Sequence, residues 1–512
     1  METERMKDCA NPEQENFLQP ESGALLEESE QLKKARVYEK ENRAEEACRP
    51  KFHLIAPVGW INDPNGFSEY RGRMHLFEQY YPYDNKWGPM HWGHHSSDDL
   101  VVWTEEGCAM APDSPFDIDG CFSGTAIETD QGHLLIYTGV SHQDNKEVQN
   151  QCLAIGDGHN YRKYRNNPVI AGDMLPEGFS RKDFRDPKIF RANGKYYVIA
   201  GSKDEKGLGQ TVLFSSDNLR DWKYEKVFAH SEGFGKMWEC PDFFELDGKG
   251  MLVVSPQYLS ASRDYEFHNG HNSVLFPGKI DWQTMDFAPE QPIQLDYGFD
   301  FYAPQTVEKT DGRRIMIGWL QSWDTKVVPD EHPWSGMMSL PRELSYENGH
   351  LKQRPVRELE NYRSHPERIS HLHLEGRKEL PLLAGRFSDL IIRFEKCEFS
   401  RFTLEFAAGR NYGMTFTWNR YDGMIEFDRT FAGHTHDVTD LRKAKEPEGG
   451  IHTIRLIQDL NSAEIFVNDG EMVFSSALFT DPSCDQVILD VQGSAVLDIE
   501  KYAIEVPDQA AE

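Results

Sequence analysis

The amino-acid sequence predicts an all-β protein, a five-bladed β-propeller followed by a C-terminal β-sandwich. Two observations predict it: a hairpin pattern recurs five times, and a second series of short alternating strands follows the last copy. A chain of 512 residues is long enough for a propeller of about 300 residues and a further domain. We therefore expect a polar, partly helical extension at 1–50, the propeller at 51–341, a linker at 342–368 and the sandwich at 369–512.

The N-terminal extension is polar. Residues 1–23 show no periodic pattern, whereas residues 25–48 favour a helix with a weak apolar stripe of Leu25, Leu32, Ala35 and Tyr38. This predicts a surface helix that leads into the first blade. The first 50 residues contain 13 acidic and 8 basic residues and no apolar segment, so we expect no secretory signal.

The five hairpins each combine a glycine-containing turn with a following apolar strand, the composition of a β-hairpin. Their glycines are 60, 62, 54 and 64 residues apart, and they are Gly72, Gly132, Gly194, Gly248 and Gly312. A hairpin unit repeated at this length is typical of the blades of a propeller. Segments 96–103 (SSDDLVVW) and 215–222 (SSDNLRDW) also repeat, and we expect their tryptophans to pack between blades.

The C-terminal part follows a polar connector at 342–368 that has few periodic apolar residues. Alternating apolar residues then return in six short segments: 401–407, 414–418, 424–428, 451–457, 463–474 and 486–491. Asp469-Gly470 between two such segments predicts a hairpin. Many short antiparallel strands favour a β-sandwich. We expect it to pack against the propeller, and self-association as a homo-oligomer is a further hypothesis for it.

Composition narrows the classes of partner. The net charge is −30, with 85 acidic and 55 basic residues, which argues against nucleic acid or an anionic membrane as the partner. No segment approaches the roughly 18 apolar residues of a membrane span. The eight cysteines are scattered, without C-x-x-C pairs, as expected of reduced thiols in a cytoplasmic protein.

Three acidic residues occupy matching positions in three of the repeats. Asp63, Asp186 and Glu239 precede their hairpin glycines by nine, eight and nine residues, in the segments WINDPNGF, FRDPKIF and WECPDFF. Equivalent positions of a repeat occupy equivalent places in space. The three carboxylates should therefore meet at the propeller axis, which predicts an active site there.

A carboxylate triplet serves either metal binding or acid/base chemistry. The sequence has no D-x-[DN]-x-[DN]-G loop, and His91, His94 and His95 of MHWGHH lack the partners of a zinc site, so we expect those histidines to pack among aromatic side chains. We expect no metal and no cofactor. The triplet suits acetal hydrolysis, which needs one carboxylate at the anomeric carbon and one carboxylic acid at the leaving oxygen.

The surrounding residue types suit a sugar pocket. We expect seven aromatic side chains to offer flat ring faces against which the C–H surfaces of a sugar pack: Trp60, Trp87, Trp92, Phe122, Trp238, Tyr302 and Trp319. Hydrogen bonds to hydroxyl groups come from Asn62, Gln79, Ser123 and Arg185.

Seven motifs in order between His53 and Trp319 resemble glycoside hydrolase family 32, the β-fructofuranosidases, and most closely its bacterial sucrose-6-phosphate hydrolase (invertase) branch. They are HLIAPVGWINDPNGF, HLFEQYYPYD, WGPMHWGHHSSDDLVVW, CFSGTA, FRDPKIF, MWECPDFF and DFYAPQ, and the later EIFVNDG is also similar. The resemblance implies the same propeller and sandwich.

Carried over residue by residue, the resemblance implies that Asp63 is the nucleophile, Glu239 the general acid/base and Asp186 the stabiliser of the transition state. It also implies sugar contacts for Asn62, Gln79, Trp87, Phe122, Ser123, Arg185, Tyr302 and Trp319. Ile61, Glu78 and Thr125 depart from the common family residues without removing a catalytic group. They leave the substrate preference open.

The leading hypothesis is thus a retaining hydrolase that releases fructose from sucrose 6-phosphate or sucrose. Three alternatives stay open: a hydrolase of β-fructan oligosaccharides, a fructosyltransferase, and a non-catalytic sugar-binding propeller. The sequence does not indicate which basic residues would bind a phosphate. We also expect a raised pKa for Glu239 between Trp238 and Pro241, and an ionised Asp63 beside the amides of Asn62 and Asn65.

Overall fold

The computed structural model describes residues 24–262, 265–325, 327–433 and 439–507. The α-helix of the N-terminal extension is Glu30–Glu41, shorter than predicted, and it begins where Ser29 Oγ accepts a hydrogen bond from the Leu32 amide (3.1 Å). Leu32 and Ala35 are buried as predicted, whereas Leu25 precedes the helix and forms a bridge to Tyr164. No helix among the described residues is long and apolar enough to cross a membrane. The predicted polar segment 1–23 lies outside those residues.

Five antiparallel sheets follow in the described part of the chain. Blade one contains Gly59–Tyr70, Arg73–Tyr81, His91–Ser97 and Thr104–Glu105; blade two Gly120–Thr129, Gly132–Gln143, Lys146–Gly156 and Tyr161–Lys163; blade three Arg185–Ala192, Lys195–Lys203, Gly209–Ser216 and Lys223–His230; blade four Met237–Leu246, Lys249–Gln257, Val274–Asp281, Asp286–Pro289 and Ile293–Gln294; blade five Tyr302–Glu308, Arg314–Trp319, Arg342–Glu347 and His350–Pro355.

The five sheets form a closed ring. The first strand of each blade contacts the first strand of the next, and that of blade five contacts that of blade one. Trp334–Ser335 pairs in parallel with the start of blade one and links the end of the ring to its beginning. The ring is the predicted five-bladed β-propeller, with the first strands innermost.

The predicted hairpins join the first two strands of every blade. In blades one, three and four a residue with positive φ precedes the turn glycine, as at Asn193 (φ 51°) and Gly194 (φ 73°). Two successive left-handed residues make the tight turn that suits twisted strands, and glycine takes the second position without strain. Trp103 and Trp222 of the shorter repeat are buried in core clusters, as expected.

The boundary after the propeller differs from the prediction. Residues 342–355, which we assigned to a linker, form the two outer strands of blade five. Leu344 and Leu351 point into a core cluster shared with blade four, while alternate residues face solvent. Two short, half-exposed strands carry too few apolar residues to stand out in the sequence. A 3₁₀ helix, Arg357–Tyr362, then leads into the sandwich.

The C-terminal unit contains nine described strands: Arg363–Glu379, Ser388–Ala408, Gly413–Asn419, Met424–Phe431, Leu441–Lys445, Thr453–Gln458, Ser462–Val467, Met472–Ala477 and Gln486–Ile504. Its two longest strands pair along most of their length, and one apolar core lies inside the unit. The predicted turn at Asp469-Gly470 joins the strands Ser462–Val467 and Met472–Ala477. Their antiparallel pairing begins with Val467 opposite Met472. Three further 3₁₀ turns are Glu46–Cys48, Gly172–Met174 and Pro381–Leu383.

The propeller and the sandwich meet through a buried set of charged residues, which we call the interface network: His53, Asp296, Arg342, Asp459 and Glu464. His53 lies between Asp459 (3.0 Å) and Glu464 (3.1 Å). Arg342 binds Glu464 (2.7 Å) and Asp296 (2.9 Å). All five side chains are buried, so the sandwich is joined to the propeller by paired charges as well as by apolar packing.

Candidate active site

A β-bulge interrupts the innermost strand of every blade at the same level. The pairing with the second strand shifts between Ile61 and Pro64, Phe122 and Gly124, Arg185 and Lys188, Glu239 and Asp242, and Tyr302 and Gln305. Bulges re-aim side chains and are common beside active sites. Here they direct one group of side chains from each blade toward the axis.

Proline accompanies four of the five bulges, at positions 64, 187, 241 and 304. Proline has no N–H to give to a strand ladder, so it fits where the ladder is already broken. Asp186, Cys240 and Ala303, each of which directly precedes one of these prolines, have positive φ values of 61°, 46° and 51°. Such backbone strain gathers at functional sites. The recurrent X-Pro pair is therefore the sequence signal for these bulges.

The bulges of blades one to four line a cavity of about 530 Å³ at the axis. Nine of the predicted residues line it: Asn62, Asp63, Gln79, Trp87, Phe122, Ser123, Arg185, Asp186 and Glu239. The lining residues that we had not predicted are Glu147, Gln149, Lys182, Asp183, Gln257, Tyr258, His271 and Trp323. Most of these lie on strand ends and connecting loops outside the repeated motifs, so spacing gave no indication of them.

Asp63 lines the cavity beside Ser123 and Cys240. Ser123 Oγ donates a hydrogen bond to Asp63 Oδ2 (2.6 Å), and Cys240 Sγ approaches the same oxygen (3.5 Å). The other oxygen, Oδ1, is buried without a hydrogen-bond partner in the protein. Burial and the charge of Glu239 raise the pKa of Asp63 above its ordinary value, against the hydrogen bonds that it receives.

Glu239 is held by two donors. Arg185 contacts Glu239 Oε1 through NH2 (2.8 Å) and Nε (3.1 Å), and the Tyr302 hydroxyl donates to Oε2 (2.6 Å). Burial alone would raise the pKa of Glu239, but the charge of Arg185 and these hydrogen bonds outweigh it and lower the pKa. The predicted order of the two pKa values is therefore wrong, because the charge of Arg185, which lies on another blade, outweighs the apolar neighbours of Glu239.

Asp186 completes the triplet. Its Oδ2 accepts a hydrogen bond from the Cys240 amide (3.0 Å) and lies 3.9 Å from Arg185 Nε. Burial raises the pKa of Asp186, as do the charges of Glu239 and Asp63, and Arg185 opposes them only in part. Asp63, Asp186 and Cys240 bring one atom each within 4.8 Å of one another. A buried thiol among two oxygens suits neither Ca²⁺ nor Mg²⁺, which prefer oxygen ligands.

Two predicted sugar contacts lie behind the cavity instead of on its wall. Tyr302 is buried and reaches the cavity only through its bond to Glu239. Trp319 is fully buried and packs edge-to-face against Trp60 (5.8 Å) and Trp323 (5.1 Å). Of the other aromatic candidates, Trp92 and Trp238 are buried in blade cores.

The histidines of MHWGHH pack inside blade one, as expected. His94 stacks on Phe77 with ring centroids 4.2 Å apart, and His95 lies 3.2 Å from Glu78. His91 Nδ1 bonds to the Pro89 carbonyl (2.9 Å).

Comparison with known proteins assigns the chain to a family. The model for the glycosyl hydrolases family 32 N-terminal domain matches residues 53–355, and that for the family 32 C-terminal domain matches 358–504. The chain is 36% identical to a sucrose-6-phosphate hydrolase of Escherichia coli over 85% of this chain and 90% of that protein. It is 35% identical to that of Bacillus subtilis strain 168, over 88% and 93%.

Solved structures agree. A GH32 β-fructofuranosidase of Bombyx mori is 33% identical and superposes with a TM-score of 0.82 over 96% of this chain and all of that one. The sucrose-6-phosphate hydrolase of Lactobacillus gasseri has a TM-score of 0.82 at 26% identity, over 92% of this chain and 96% of that one. The chain belongs to glycosyl hydrolase family 32, and it is a glycosidase with the five-bladed propeller and sheet-rich C-terminal domain of that family.

Proposed function

We propose that this glycosidase hydrolyses the β-fructofuranosidic bond of sucrose or sucrose 6-phosphate and releases fructose. The observation that carries the proposal is the meeting of Asp63, Asp186 and Glu239, from three different blades, in one cavity. Curated relatives are named sucrose-6-phosphate hydrolases, and a neighbour structure of a Bombyx mori GH32 β-fructofuranosidase contains sucrose.

The proposed reaction has two steps. Asp63 attacks the anomeric carbon of the fructosyl unit while Glu239 gives its proton to the glycosidic oxygen, which leaves with the other sugar. Glu239 then takes a proton from water, whose oxygen attacks the same carbon and releases Asp63. Two inversions retain the configuration, and such enzymes hold the two carboxyl groups about 5–5.5 Å apart. Asp186 holds fructosyl hydroxyls and strengthens those hydrogen bonds as charge develops.

The directions of the two pKa shifts are opposite to what the first step needs, because Arg185 and Tyr302 lower the pKa of Glu239 while burial and the charge of Glu239 raise that of Asp63. A sugar whose hydroxyls take the donors of Arg185 would weaken the Arg185–Glu239 pair. The pKa of Glu239 would then rise, and the Asp63 carboxylate would carry the charge. We propose that substrate binding itself sets the two protonation states.

The charges on the wall favour sucrose over its 6-phosphate. Five carboxylates line the cavity against two cations and one histidine. Both cations are paired: Arg185 with Glu239 (2.8 Å) and Lys182 with Glu147 (2.9 Å). A phosphate requires free donors such as Arg or Lys. Lys86 is the one basic residue among the described residues that line the adjoining cavity, so it is the candidate for binding a phosphate there.

The other candidate activities need no different site. Transfer of fructose to a sugar in place of water, and hydrolysis of fructan oligosaccharides, use the same two carboxylates.

The described cysteines are free thiols, which supports the proposed cytoplasmic location. Self-association through the sandwich remains a hypothesis that size measurement in solution would test.

Initial rates on sucrose and sucrose 6-phosphate test the proposal. We expect glucose and fructose in equal amounts from sucrose, β-fructofuranose as the first product by NMR, and a higher kcat/KM for sucrose. An α-anomer formed first would contradict the retaining mechanism. A higher kcat/KM for sucrose 6-phosphate that disappears selectively in Lys86→Met would instead identify a phosphate site at Lys86.

A further inference from the structure

Three side chains of metal-binding types meet on the surface of the C-terminal unit. His371 lies in the first strand of that unit, Glu395 in the second and Asp498 in the last. One atom of each lies within 4.8 Å of the other two, and His371 Nδ1 is 2.9 Å from Glu395 Oε2. None of the three lines the axial cavity, so this cluster is separate from the active site.

A β-bulge on each side of Asp498 brings the other two side chains to it. The last strand pairs with the first strand on one side and with the second strand on the other. The register of the first pairing shifts at Ser370-His371, where His371 has a positive φ of 51°, and the register of the second shifts at Glu395. Bulges re-aim side chains. The two bulges therefore turn a histidine and a glutamate toward the same aspartate.

The cluster is partly ordered before any ligand binds. The His371 amide donates a hydrogen bond to Asp498 Oδ1 (2.9 Å), which fixes that carboxylate. Arg393, the basic residue opposite Asp498, binds Glu500 instead (2.9 Å). Neighbouring carboxylates such as Glu395 and Asp498 repel each other unless a proton or a cation lies between them. The net charge of −30 also attracts cations to the surface.

The ligand types indicate which cation would bind. An imidazole nitrogen with carboxylate oxygens suits Zn²⁺ and the neighbouring transition metals, whereas Mg²⁺ and Ca²⁺ prefer oxygen ligands alone. Tetrahedral coordination by zinc places ligand atoms about 3.3 Å apart, so the contact between His371 and Glu395 has to widen by only a few tenths of an ångström. The His371 side chain is 74% exposed and that of Glu395 33%, so both are free to make this adjustment.

We propose that His371, Glu395 and Asp498 form a structural site for one divalent transition-metal ion of the zinc class, with water as the fourth ligand. The ion joins the first strand, Arg363–Glu379, to the two strands beside it. Only Leu374 of the 17 residues in that strand is buried, and the strand pairs with one neighbour in the described part of the chain. Catalysis at the axis does not use this ion, so the expectation of a metal-free active site is unchanged.

Titration calorimetry with ZnCl₂ on the full chain, first freed of metal by EDTA and dialysis, tests the proposal. We expect one equivalent of Zn²⁺ to bind with a Kd on the order of 10 µM, and MgCl₂ to give no such binding. His371→Ala and the more conservative Glu395→Gln should each weaken Zn²⁺ binding by about tenfold or more. His142→Ala is the matched control and should leave the Kd unchanged. His142 is also an exposed histidine paired with one carboxylate, Asp119 (2.8 Å), but it has no third ligand among the described residues.

A structural ion should also stabilise the folded chain. At tenfold the Kd, Zn²⁺ should raise the thermal midpoint of the wild type by about 2–4 °C and that of folded His371→Ala much less. Zn²⁺ that binds the wild type and both cluster variants equally, or Mg²⁺ that binds as well as Zn²⁺, would overturn the inference. Zn²⁺ binding that instead parallels inhibition of sucrose hydrolysis, and persists in His371→Ala, would place the ion at Cys240 and the axial carboxylates and would also overturn it.

Discussion

Two carboxylates in different regions of the molecule, Glu464 of the interface network and Asp63 of the cavity, have surroundings that shift their pKa values in opposite directions. In the interface network, Glu464 accepts hydrogen bonds from Arg342 (2.7 Å), the Leu340 amide (2.7 Å) and His53 (3.1 Å). These donors and the charge of Arg342 outweigh burial and lower the pKa of Glu464 to about 2. In the cavity, one oxygen of Asp63 has no protein partner, and burial with the charge of Glu239 raises its pKa.

The difference shows what each region is arranged for. A buried charge is tolerated where every lone pair has a donor, and such a site holds two domains together. A carboxylate left short of donors destabilises the folded chain but stays reactive toward a substrate that completes its surroundings. Stability and chemistry are thus separated into two buried acidic clusters, and single amide substitutions distinguish them.

The largest expected effect is in the cavity. Asp63→Asn should lower kcat on sucrose by about 10³-fold or more, because the nucleophile is lost. Its thermal midpoint should equal or exceed that of the wild type, since a partly satisfied buried charge is removed. Rate assays check the loss of kcat, and differential scanning calorimetry checks the thermal midpoint. A variant within tenfold of the wild-type rate would show that Asp63 is not the nucleophile.

The next largest effect is a loss of stability with little change in activity. Glu464→Gln should lower the free energy of unfolding by about 3–5 kcal/mol, because Arg342 and His53 would be left buried without their shared carboxylate. The kcat/KM of the folded enzyme at low temperature should change little. The matched control is Glu398→Gln, which removes an exposed partner of Lys396 (2.9 Å) and should cost less than about 1 kcal/mol. Equal losses of unfolding free energy in Glu464→Gln and Glu398→Gln would show that the buried carboxylate stabilises the fold no more than an exposed one does.

The pH dependence of stability gives a third, smaller effect. Although burial disfavours a charged ring, Asp459 and Glu464 raise the pKa of His53 from 6.5 to about 9. A raised histidine pKa stabilises the folded state fully below pH 6.5 and loses that effect as the pH rises to 9, a change of about 3 kcal/mol. Urea unfolding of the wild type should therefore weaken between pH 6.5 and 9, and that loss should be absent in His53→Gln. A parallel decline in both proteins would assign it to other groups.

The same contrast explains what the sequence predicted and what it did not. Blade number, hairpin glycines and the meeting of Asp63, Asp186 and Glu239 follow from local spacing, because a propeller repeats one local unit around an axis. The interface network could not be predicted in this way, since His53, Arg342 and Glu464 are far apart in the chain and no repeat relates them. The pKa order failed for a related reason: the contact of Arg185 with Glu239 crosses from blade three to blade four, and spacing says nothing about which side chains pair.

The smallest effect concerns Tyr302, which the structure places behind Glu239 instead of on the cavity wall. Its hydroxyl donates to Glu239 Oε2 (2.6 Å) and thereby stabilises the ionised carboxylate. Tyr302→Phe removes that donor, so the pKa of Glu239 should rise by up to about one unit. The kcat/KM profile reports the free enzyme, in which the pKa of Glu239 is lowered and that of Asp63 is raised, so Glu239 sets the acidic limb and Asp63 the alkaline limb. The acidic limb should therefore move to higher pH in Tyr302→Phe, while the alkaline limb should stay in place. Tyr137→Phe is a matched control, since it removes a buried tyrosine hydroxyl that donates to Asp117 (2.7 Å) outside the lining of the cavity. An acidic limb that does not move in Tyr302→Phe, or that moves equally in Tyr137→Phe, would mean that Tyr302 contributes only packing and that the charge of Arg185 alone lowers the pKa of Glu239.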